Sequence, residues 1–321
     1  MGQTITSPRP GSAPLTPGGE AVEGKMRIAV LITCFNRKEK PLRCLRSMDS
    51  TLRPYSDRFH LKIFLTDDGC SDGTADAVRA GKYLFPVEIL QGTGELFWNG
   101  GMINSWNAAI AEGGFDGYLW INDDISVLPE FWPDLLDADA FSLQNFGKRG
   151  IYAGSTKDAV TGALTYGGFV YTNKFTLKDR LTEPDGSFRE CESAHGNITY
   201  VAREVVEKMG VFCKDYIHGG ADHDYTFLAR RAGFPLLVLP HYSAVCENDH
   251  IGKTRSYTKL PLRERARLFW SPKGYNMHNT LLFNRRCFPW RVPFAFFAGV
   301  GKMLFPGAGY KFYLLLRGVW K

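Results

Sequence analysis

The sequence predicts an α/β protein with a doubly wound, mostly parallel sheet and a ligand site at the carboxyl ends of its strands. Two patterns lead to this prediction. Short apolar runs alternate along the chain with segments whose apolar residues recur at helical spacing. Polar residues, mainly Asp, Asn and Gly, follow where several of the apolar runs end. In open α/β sheets, ligands bind at this edge.

The first part of the chain alternates strand and helix regularly. The apolar run from Arg27 to Thr33 is typical of a strand that is covered on both faces. Leu42, Leu45 and Met48 then recur at helical spacing. Strands are also predicted at residues 61–65, 87–90 and 118–121, and helices at 40–48, 75–80 and 103–111.

The later part is less regular, and its apolar runs are separated by longer polar stretches. Strands are predicted there at residues 151–154, 168–172, 195–201 and 234–240, and helices at 203–209 and 226–232. With 321 residues in all, the chain is long enough for one large domain or two modest ones.

The charge and the cysteines exclude some classes of protein. The net charge of +6 is concentrated in residues 285–321, which hold seven Lys or Arg and no Asp or Glu. A nucleic-acid groove would spread basic residues through the fold, so we expect no nucleic-acid partner. The seven Cys include no C-x-x-C pair, which favours reduced thiols in a cytoplasm over disulfides or a zinc site.

The two ends differ from the middle of the chain. Residues 1–25 hold four Pro and five Gly without the apolar core of a signal peptide, which predicts a disordered tail, with Met26 as an alternative start. Residues 288–301 are strongly apolar, but Lys302 and Pro306 interrupt the run before the roughly 20 residues of a spanning helix. We therefore predict a main domain at 26–284 and a basic segment at 285–321 in the membrane interface; the alternative is a core-packing helix pair.

Two groups of acids follow predicted strands. Asn122, Asp123 and Asp124 come after the apolar run ending at Ile121, where neighbouring hard oxygen donors can bind a divalent cation that neutralises a diphosphate. The alternative is an ordinary acidic turn. Asp67 and Asp68 end the second strand and can accept hydrogen bonds from a base or a ribose.

Further candidates lie in loops. Arg37, after the first strand, can pair with phosphate. Residues 92–102 are predicted as a glycine-rich loop that opens a helix and admits close approach of a ligand, although their spacing is not a dinucleotide fingerprint. Asp222 and Asp224 stand at a loop-to-helix junction, where one could be a general base or both could be caps. His250 is either a metal ligand or a surface residue.

Taken in order and spacing, four segments resemble the family-2 inverting glycosyltransferases. They are residues 32–37, 67–74, 122–124 and 222–233. Two others, residues 97–101 with Asn107 and residues 275–281, are similar to rhamnosyltransferase-like members of bacterial surface-polysaccharide pathways. The resemblance covers roughly residues 26–285.

The resemblance implies a GT-A fold and a role for each matching residue. Asp222 would be the catalytic base, supported by Asp224, and Asp124 with His250 would hold Mg²⁺ or Mn²⁺. Asn122 stands where the family has an acid. The implied donor-binding residues are Thr33, Arg37, Asp67, Asp68, Trp98, Asn99, Gly100, Gly101, Asn107, Asp123 and Lys253.

The same resemblance implies the reaction and its place. The enzyme would transfer one sugar, from dTDP-rhamnose or a UDP-sugar, to a glycan or lipid-linked acceptor in surface-polysaccharide synthesis. It lacks the Q-x-x-R-W of processive synthases, which favours a single addition. It would be cytoplasmic and peripheral at the inner membrane.

Two other functions are compatible with the sequence. Asn122 would suit a non-catalytic protein of the same fold that binds sugar nucleotides or glycans without a metal. A nucleotidyltransferase would share the sheet and the paired acids, but it should carry a basic, glycine-rich phosphate loop after the first strand. That position holds Cys34-Phe35-Asn36-Arg37 instead.

Overall fold

The computed structural model describes residues 24–246, 260–271 and 274–306. Most of the predicted N-terminal tail, the end of the predicted interface segment, His250 and Lys253 lie outside these ranges. The strands are β1 (Met26–Cys34), β2 (Phe59–Asp67), β3 (Val87–Gln91), β4 (Gly117–Ile121), β5 (Ser126–Val127), β6 (Ile151–Lys157), β7 (Leu164–Tyr166), β8 (Gly168–Asn173), β9 (Lys178–Leu181), β10 (Arg189–Glu190), β11 (Ser193–Ala194), β12 (Ile198–Ala202) and β13 (Leu236–Val245).

The helices of the described ranges lie on the faces of the sheet and in a C-terminal group. They are α1 (Glu39–Leu52), α2 (Thr74–Ala80), α3 (Phe97–Glu112), α4 (Phe131–Phe146), α5 (Arg203–Met209), α6 (Ala221–Arg231), α7 (Leu262–Trp270), α8 (Met277–Cys287) and α9 (Val292–Leu304).

The main sheet has the strand order β10-β13-β6-β12-β4-β1-β2-β3, with β5 beside β13 and β7 beside β6. Strands β3, β2, β1 and β4 are parallel, and so are β13 and β6. Strand β12 is antiparallel between β4 and β6. A second sheet pairs β8 with β9 and β11. This confirms the predicted α/β class with a mostly parallel central sheet.

The predicted elements of the first part are present, but two helices differ from the prediction. Helix α3 begins at Phe97, not at residue 103, so part of the predicted glycine-rich loop is helical. Helix α4 was not predicted. Leu135 and Ala138 carry its buried helical period, and Pro133 lies in its first turn, where a missing N–H costs no hydrogen bond.

A cluster of buried aromatic rings joins α3, β4 and α6. The ring centroids of Trp120 and Phe212 are 4.5 Å apart, and those of Trp106 and Tyr225 are 5.4 Å apart. Trp106 and Trp120 are completely buried. Offset and edge-on aromatic pairs of this kind add about 0.5–1.5 kcal/mol each to the burial of their area. The cluster therefore fixes the start of α6 relative to the end of β4.

The C-terminal helices pack on the rest of the fold. Phe288 lies against Phe227 of α6, with centroids 4.8 Å apart, and Arg265 of α7 donates to the carbonyl of Met303 in α9. The first residues of the segment predicted to lie in the membrane interface are therefore in contact with the domain predicted to end at residue 284. In the part of the chain that the structure describes, no helix combines the length and the apolar character needed to cross a bilayer.

Candidate active site

The carboxyl ends of the parallel strands meet at one edge of the sheet. Cys34 pairs with Asp67 between β1 and β2, Asp67 pairs with Gln91 of β3, and Trp120 of β4 lies beside Leu31. The backbone N–H of Asp68 donates to the carbonyl of Cys34 at 3.0 Å. The edge thus gathers the loops that follow β1, β2 and β4, as the parallel sheet requires.

Asp67 and Asp68 are buried and hold backbone in place. Oδ1 of Asp67 accepts from the N–H of Cys70 at 2.6 Å. The carboxylate of Asp68 accepts from the N–H groups of Gly94 at 2.8 Å and Phe97 at 3.1 Å. Charge-assisted bonds of this kind are about twice as strong as neutral ones. Both acids therefore shape the loops at the predicted nucleoside side of the site.

Arg37 is paired with the acidic turn after β4. Its Nε donates to Oδ2 of Asp123 at 2.9 Å, and its Nη1 is 3.3 Å from Oδ2 of Asp124. Lys40, which the sequence analysis did not single out, is 3.6 Å from the same oxygen of Asp124. Burial raises the pKa of the Asp123 carboxyl to about 6, and the neighbouring Arg37 opposes this rise. Nη2 of Arg43 donates to the carbonyl of Asp124 at 3.4 Å. Three cationic side chains thus contact the turn in which a metal is predicted.

Asp124 and Asn122 differ in what their side chains contact. Oδ1 of Asp124 is buried and has no hydrogen-bond partner within the described residues, so it is a hard oxygen that can accept a cation. Oδ1 of Asn122 accepts from Nε1 of Trp98 at 2.8 Å. Within the described ranges, no three His, Cys, Asp or Glu side chains are grouped to hold a metal. Asp124 fits a divalent ion as one ligand, and His250 lies outside the described residues.

The first turn of α3 lies directly on β1. A Cβ added at Gly101 would come 2.1 Å from Oγ1 of Thr33, so only glycine permits this approach. Gly100 packs against Leu96 in the same turn. The predicted donor-binding residues Thr33, Gly100 and Gly101 are therefore close together, and the two glycines belong to a helix, not to a loop.

Asn99 and Asn107 do not face this group. Asn99 is completely buried, and its Nδ2 donates to the carbonyls of Cys213 at 3.0 Å and Tyr216 at 2.7 Å. Asn107 is exposed and lies half a helical turn away from the buried face of α3. Asn107 therefore lies on the solvent side of α3, away from Thr33, Gly100 and Gly101, and its role in donor binding stays a prediction.

Asp222 lies in the first turn of α6, opposite Trp98. Its Oδ2 accepts from the N–H of Gly196 at 2.8 Å. A Cβ added at Gly196 would come 3.0 Å from the ring of Trp98 and 3.2 Å from Cβ of Asp222. Contacts therefore run from Asp222 through Gly196 and Trp98 to Asn122. They bring the start of α6 to the turn that contains Asp124.

Asp224 has a different environment. It is buried, and both of its carboxylate oxygens accept from Nε of Arg286 in α8, at 2.8 and 3.0 Å. The hydroxyl of Tyr216 donates to it at 3.1 Å. Its partners account for both oxygens, so Asp224 holds α6 to α8.

Two histidines lie beside Asp222, and the sequence analysis gave them no role. Nε2 of His223 is 3.9 Å from Oδ2 of Asp222, and the rings of His223 and His195 are 4.8 Å apart. Nδ1 of His195 is bonded to the carbonyl of Gly167 at 2.9 Å. His195 directly precedes Gly196 and His223 directly follows Asp222. This proximity in sequence was the signal that could have found them.

Comparison with known proteins supports a fold and no closer relationship. No protein-family model matches the sequence, and no curated protein matches it. GalNAc-T7, solved with UDP, GalNAc and Mn²⁺, matches with a TM-score of 0.51 at 13% identity, over 70% of this chain and 44% of that one. The chain therefore spans less than half of GalNAc-T7.

Two further structures match with lower scores. The mannosyltransferase PcManGT from Pyrobaculum calidifontis, in complex with GDP-Man and Mn²⁺, has a TM-score of 0.49 at 16% identity, over 93% of this chain and 82% of that one. Residues 1–349 of TarS from S. aureus have a TM-score of 0.48 at 14% identity, over 86% and 74%. Since both of these scores are below 0.5, the fold assignment rests on the match to GalNAc-T7: the chain has a GT-A type of α/β fold, with a curled, mostly parallel central sheet.

Proposed function

We propose that this protein is a metal-dependent inverting glycosyltransferase that adds one sugar from a nucleotide-sugar donor to a glycan or lipid-linked acceptor. The observation that supports this best is the contact of Asp222 with Gly196 and, through Trp98, with the Asn122–Asp124 turn. A general base, a carboxylate with a buried oxygen that has no partner in the described residues, and several cationic side chains then lie together at the end of a parallel sheet. These are the groups that transfer from a nucleoside diphosphate requires.

On the donor side, we assign the nucleoside to the loops after β1 and β2. Asp67 and Asp68 fix these loops through backbone N–H groups, and Thr33 lies beside them under α3. Arg37 and Lys40, whose side chains approach the carboxylate of Asp124, would contact the diphosphate. The segment at residues 97–101 favours dTDP-rhamnose as the donor, with a UDP-sugar as the second choice.

The metal would be held by Asp124. Arg37 and Lys40 approach Oδ2 of this carboxylate, which leaves Oδ1 as the oxygen for Mg²⁺ or Mn²⁺. The ion would supply positive charge that stabilises the departing diphosphate. His250 is the residue that the sequence suggests as a further ligand.

Asp222 would act on the acceptor. The N–H of Gly196 holds Oδ2, and no hydrogen bond within the described ranges involves Oδ1, so Oδ1 is placed to take a proton. As the acceptor oxygen bonds to the anomeric carbon, its proton passes to Asp222 and the bond from that carbon to the nucleoside diphosphate breaks. One displacement inverts the anomeric configuration. His223 lies close enough to this carboxylate to contact the acceptor.

An exposed aromatic surface suggests how a lipid-linked acceptor is reached. The side chains of Trp290, Phe297 and Phe305 are 58%, 70% and 65% exposed. Residues 285–321 are basic and contain no acid. We propose that this surface lies on the cytoplasmic face of the inner membrane, because exposed aromatic and basic side chains bind anionic lipid surfaces.

One alternative has a specific observation in its favour. Oδ1 of Asn122 is occupied by Trp98, and Asp123 is occupied by Arg37. In a protein of the same fold that binds sugar nucleotides or glycans but transfers no sugar, these two side chains would be hydrogen-bonded in the same way. Such a protein would bind the nucleotide equally well with and without a metal.

A thermal-shift panel tests the proposed donor site. The full-length chain is heated with UDP, dTDP, GDP, UDP-glucose and dTDP-rhamnose, each with Mn²⁺ and with EDTA, and a ligand that binds the folded state raises the midpoint. We expect a shift with one nucleotide that EDTA removes. A shift that EDTA leaves unchanged would favour the non-catalytic protein, and the lack of any shift would reject both.

A further inference from the structure

The loop before the proposed base lacks regular structure of its own. Residues 210–220 form neither helix nor strand, and α6, with Asp222 as its second residue, follows them directly. Outside helices and strands, backbone carbonyls find their hydrogen-bond partners in turns of the loop itself, as where the N–H of Tyr216 donates to Cys213 at 3.3 Å, in side chains or in water. The side chains that supply them decide where the loop, and Asp222 after it, is held.

Helix α8 supplies several of these partners. Asn279 is 7% exposed, and its Nδ2 donates to the carbonyls of His218 and Gly219, each at 3.0 Å. Its Oδ1 accepts from the N–H of Ile217 at 3.4 Å. Nδ2 of Asn276, the cap of α8, donates to His218 at 3.4 Å. One amide side chain thus binds three successive residues of the loop backbone.

The other end of α8 binds the chain just after the base. Arg286 holds Asp224, two residues beyond Asp222, through both carboxylate oxygens. The hydroxyl of Tyr216 in the loop donates to the same carboxylate. Helix α8 therefore binds the chain on both sides of Asp222, at residues 217–219 before it and at Asp224 after it.

Helix α3 also binds the loop. Asn99 donates to the carbonyls of Cys213 and Tyr216. Asn99 belongs to the segment 97–101 and Asn279 to the segment 275–281, the two segments outside the main resemblance. They are far apart in sequence, and both bind the loop at residues 213–219. Because both segments bind this loop, segment 275–281 has a structural role that does not depend on contact with the donor.

We propose that Asn279 and Arg286 are positioning residues for Asp222, and that α8 sets the place of the base against the donor. This rests on the proposed transferase function. A displacement of about 1 Å in a reacting group can cost on the order of 100-fold in rate. Removing the contacts of Asn279 or those of Arg286 should therefore lower turnover. The affinity for the donor should stay the same, because other elements at the sheet edge would bind it.

The test uses Asn279→Ala and Arg286→Gln in the full-length protein. We expect kcat, counted per bound nucleotide, to fall by about 10- to 100-fold in each, with donor KM within about twofold of wild type. Arg286→Lys keeps the charge opposite Asp224 and should lose less than Arg286→Gln. Arg267→Gln removes the same charge from an exposed position on α7 and is the matched control.

The outcomes separate positioning from a purely structural role. A structural role would lower the thermal midpoint and the number of binding sites but leave kcat per site unchanged, which would overturn the inference. If Asn279→Ala does not fold, Arg286→Gln and Arg286→Lys make the same test at the other end of α8. Wild-type protein that transfers no sugar would overturn the proposed function, and the inference with it. Active wild type with unchanged kcat in the folded variants would overturn only the inference.

Discussion

Asp222 and Asp224 show how the same residue type takes two roles two positions apart. Asp222 is partly exposed and keeps Oδ1 outside the hydrogen bonds of the described residues, while both oxygens of Asp224 accept from Arg286. The sequence predicted a general base at this junction and could not exclude that both were caps. Their partners, Gly196 and Arg286, are distant in sequence, so only the folded chain separates the two roles.

Asn122 is the residue at which the sequence departs from the acid that the family resemblance implies. An Asn122→Asp variant keeps an oxygen that can accept from Trp98 and adds a negative charge beside Asp124. Since charge on the ligands strengthens the binding of divalent cations, we expect the Mn²⁺ concentration for half-maximal turnover to fall by about 3- to 10-fold. This concentration is measured by following nucleotide release while Mn²⁺ is titrated.

Asp124→Asn is the opposing variant and should raise that concentration or abolish the response to Mn²⁺. A half-maximal concentration that is unchanged in Asn122→Asp would mean that position 122 does not face the metal.

Among the secondary-structure elements, the positions of the strands were well predicted, whereas the packing of the loops was not. The runs that became β1 and β2 are mostly apolar, with Arg27, His60 and Lys62 near their starts, so their apolar character indicates buried strands, and their polar ends predicted the site edge. The start of α3 was missed because two glycines in its first turns, Gly100 and Gly101, suggested a loop. Contact with Thr33 explains Gly101, and no local pattern reports a contact over such a sequence distance.

The close approach of α3 to β1 makes a stability prediction. Gly101→Ala would place a Cβ 2.1 Å from Oγ1 of Thr33, so α3 must shift, and we expect a loss of about 1–3 kcal/mol in the free energy of unfolding. Urea unfolding measures it. Gly100→Ala is the control: its Cβ would come 3.1 Å from Cβ of Leu96, the residue before α3, so a shift of a few tenths of an ångström suffices. Because alanine also favours the helix, its loss should be well below that of Gly101→Ala. Equal stability of the two variants would contradict the tight packing.

The same limit applies to the residues of the candidate site. The sequence named Asn99 for its neighbours in a motif, but its amide is used on the loop that precedes Asp222. It named Asn107 too, which faces solvent. Lys40 and Gly196 were missed, because a lysine in a first helical turn and a glycine before a strand are common. Their significance comes from what the fold places opposite them.

In the molecule as a whole, the C-terminal helices connect the proposed membrane surface to residues 217–224, which contain the proposed base Asp222. Helix α9 packs on α8, where a Cβ added at Gly299 would overlap the side chain of Met277, and α8 holds both sides of Asp222. The sequence predicted an interfacial segment from its apolar and basic residues. It could not predict that this segment is joined to the site, since the connection depends on α8.

The membrane surface can be tested without removing this packing. Replacing the exposed side chains of Trp290 and Phe297 by Ser should weaken binding to vesicles containing an anionic lipid by at least about 100-fold, given about 1.5–3 kcal/mol for burying each large apolar side chain. Co-sedimentation measures the binding. Val160→Ser, at the 93% exposed Val160, is the control. Vesicle binding that is equal in the double variant and wild type would place the contact elsewhere.

The role of Asp222 as the base is tested by comparing wild type with Asp222→Asn. The assay follows release of nucleoside diphosphate from the donor that the thermal-shift panel identifies. Loss of general-base help should lower turnover by about 10²- to 10⁴-fold, while the nucleotide still raises the thermal midpoint as in wild type. Asparagine keeps the size of the side chain and an oxygen that can accept from Gly196. Near-wild-type turnover in Asp222→Asn would contradict the assignment of Asp222 as the base and the account of the site built around it.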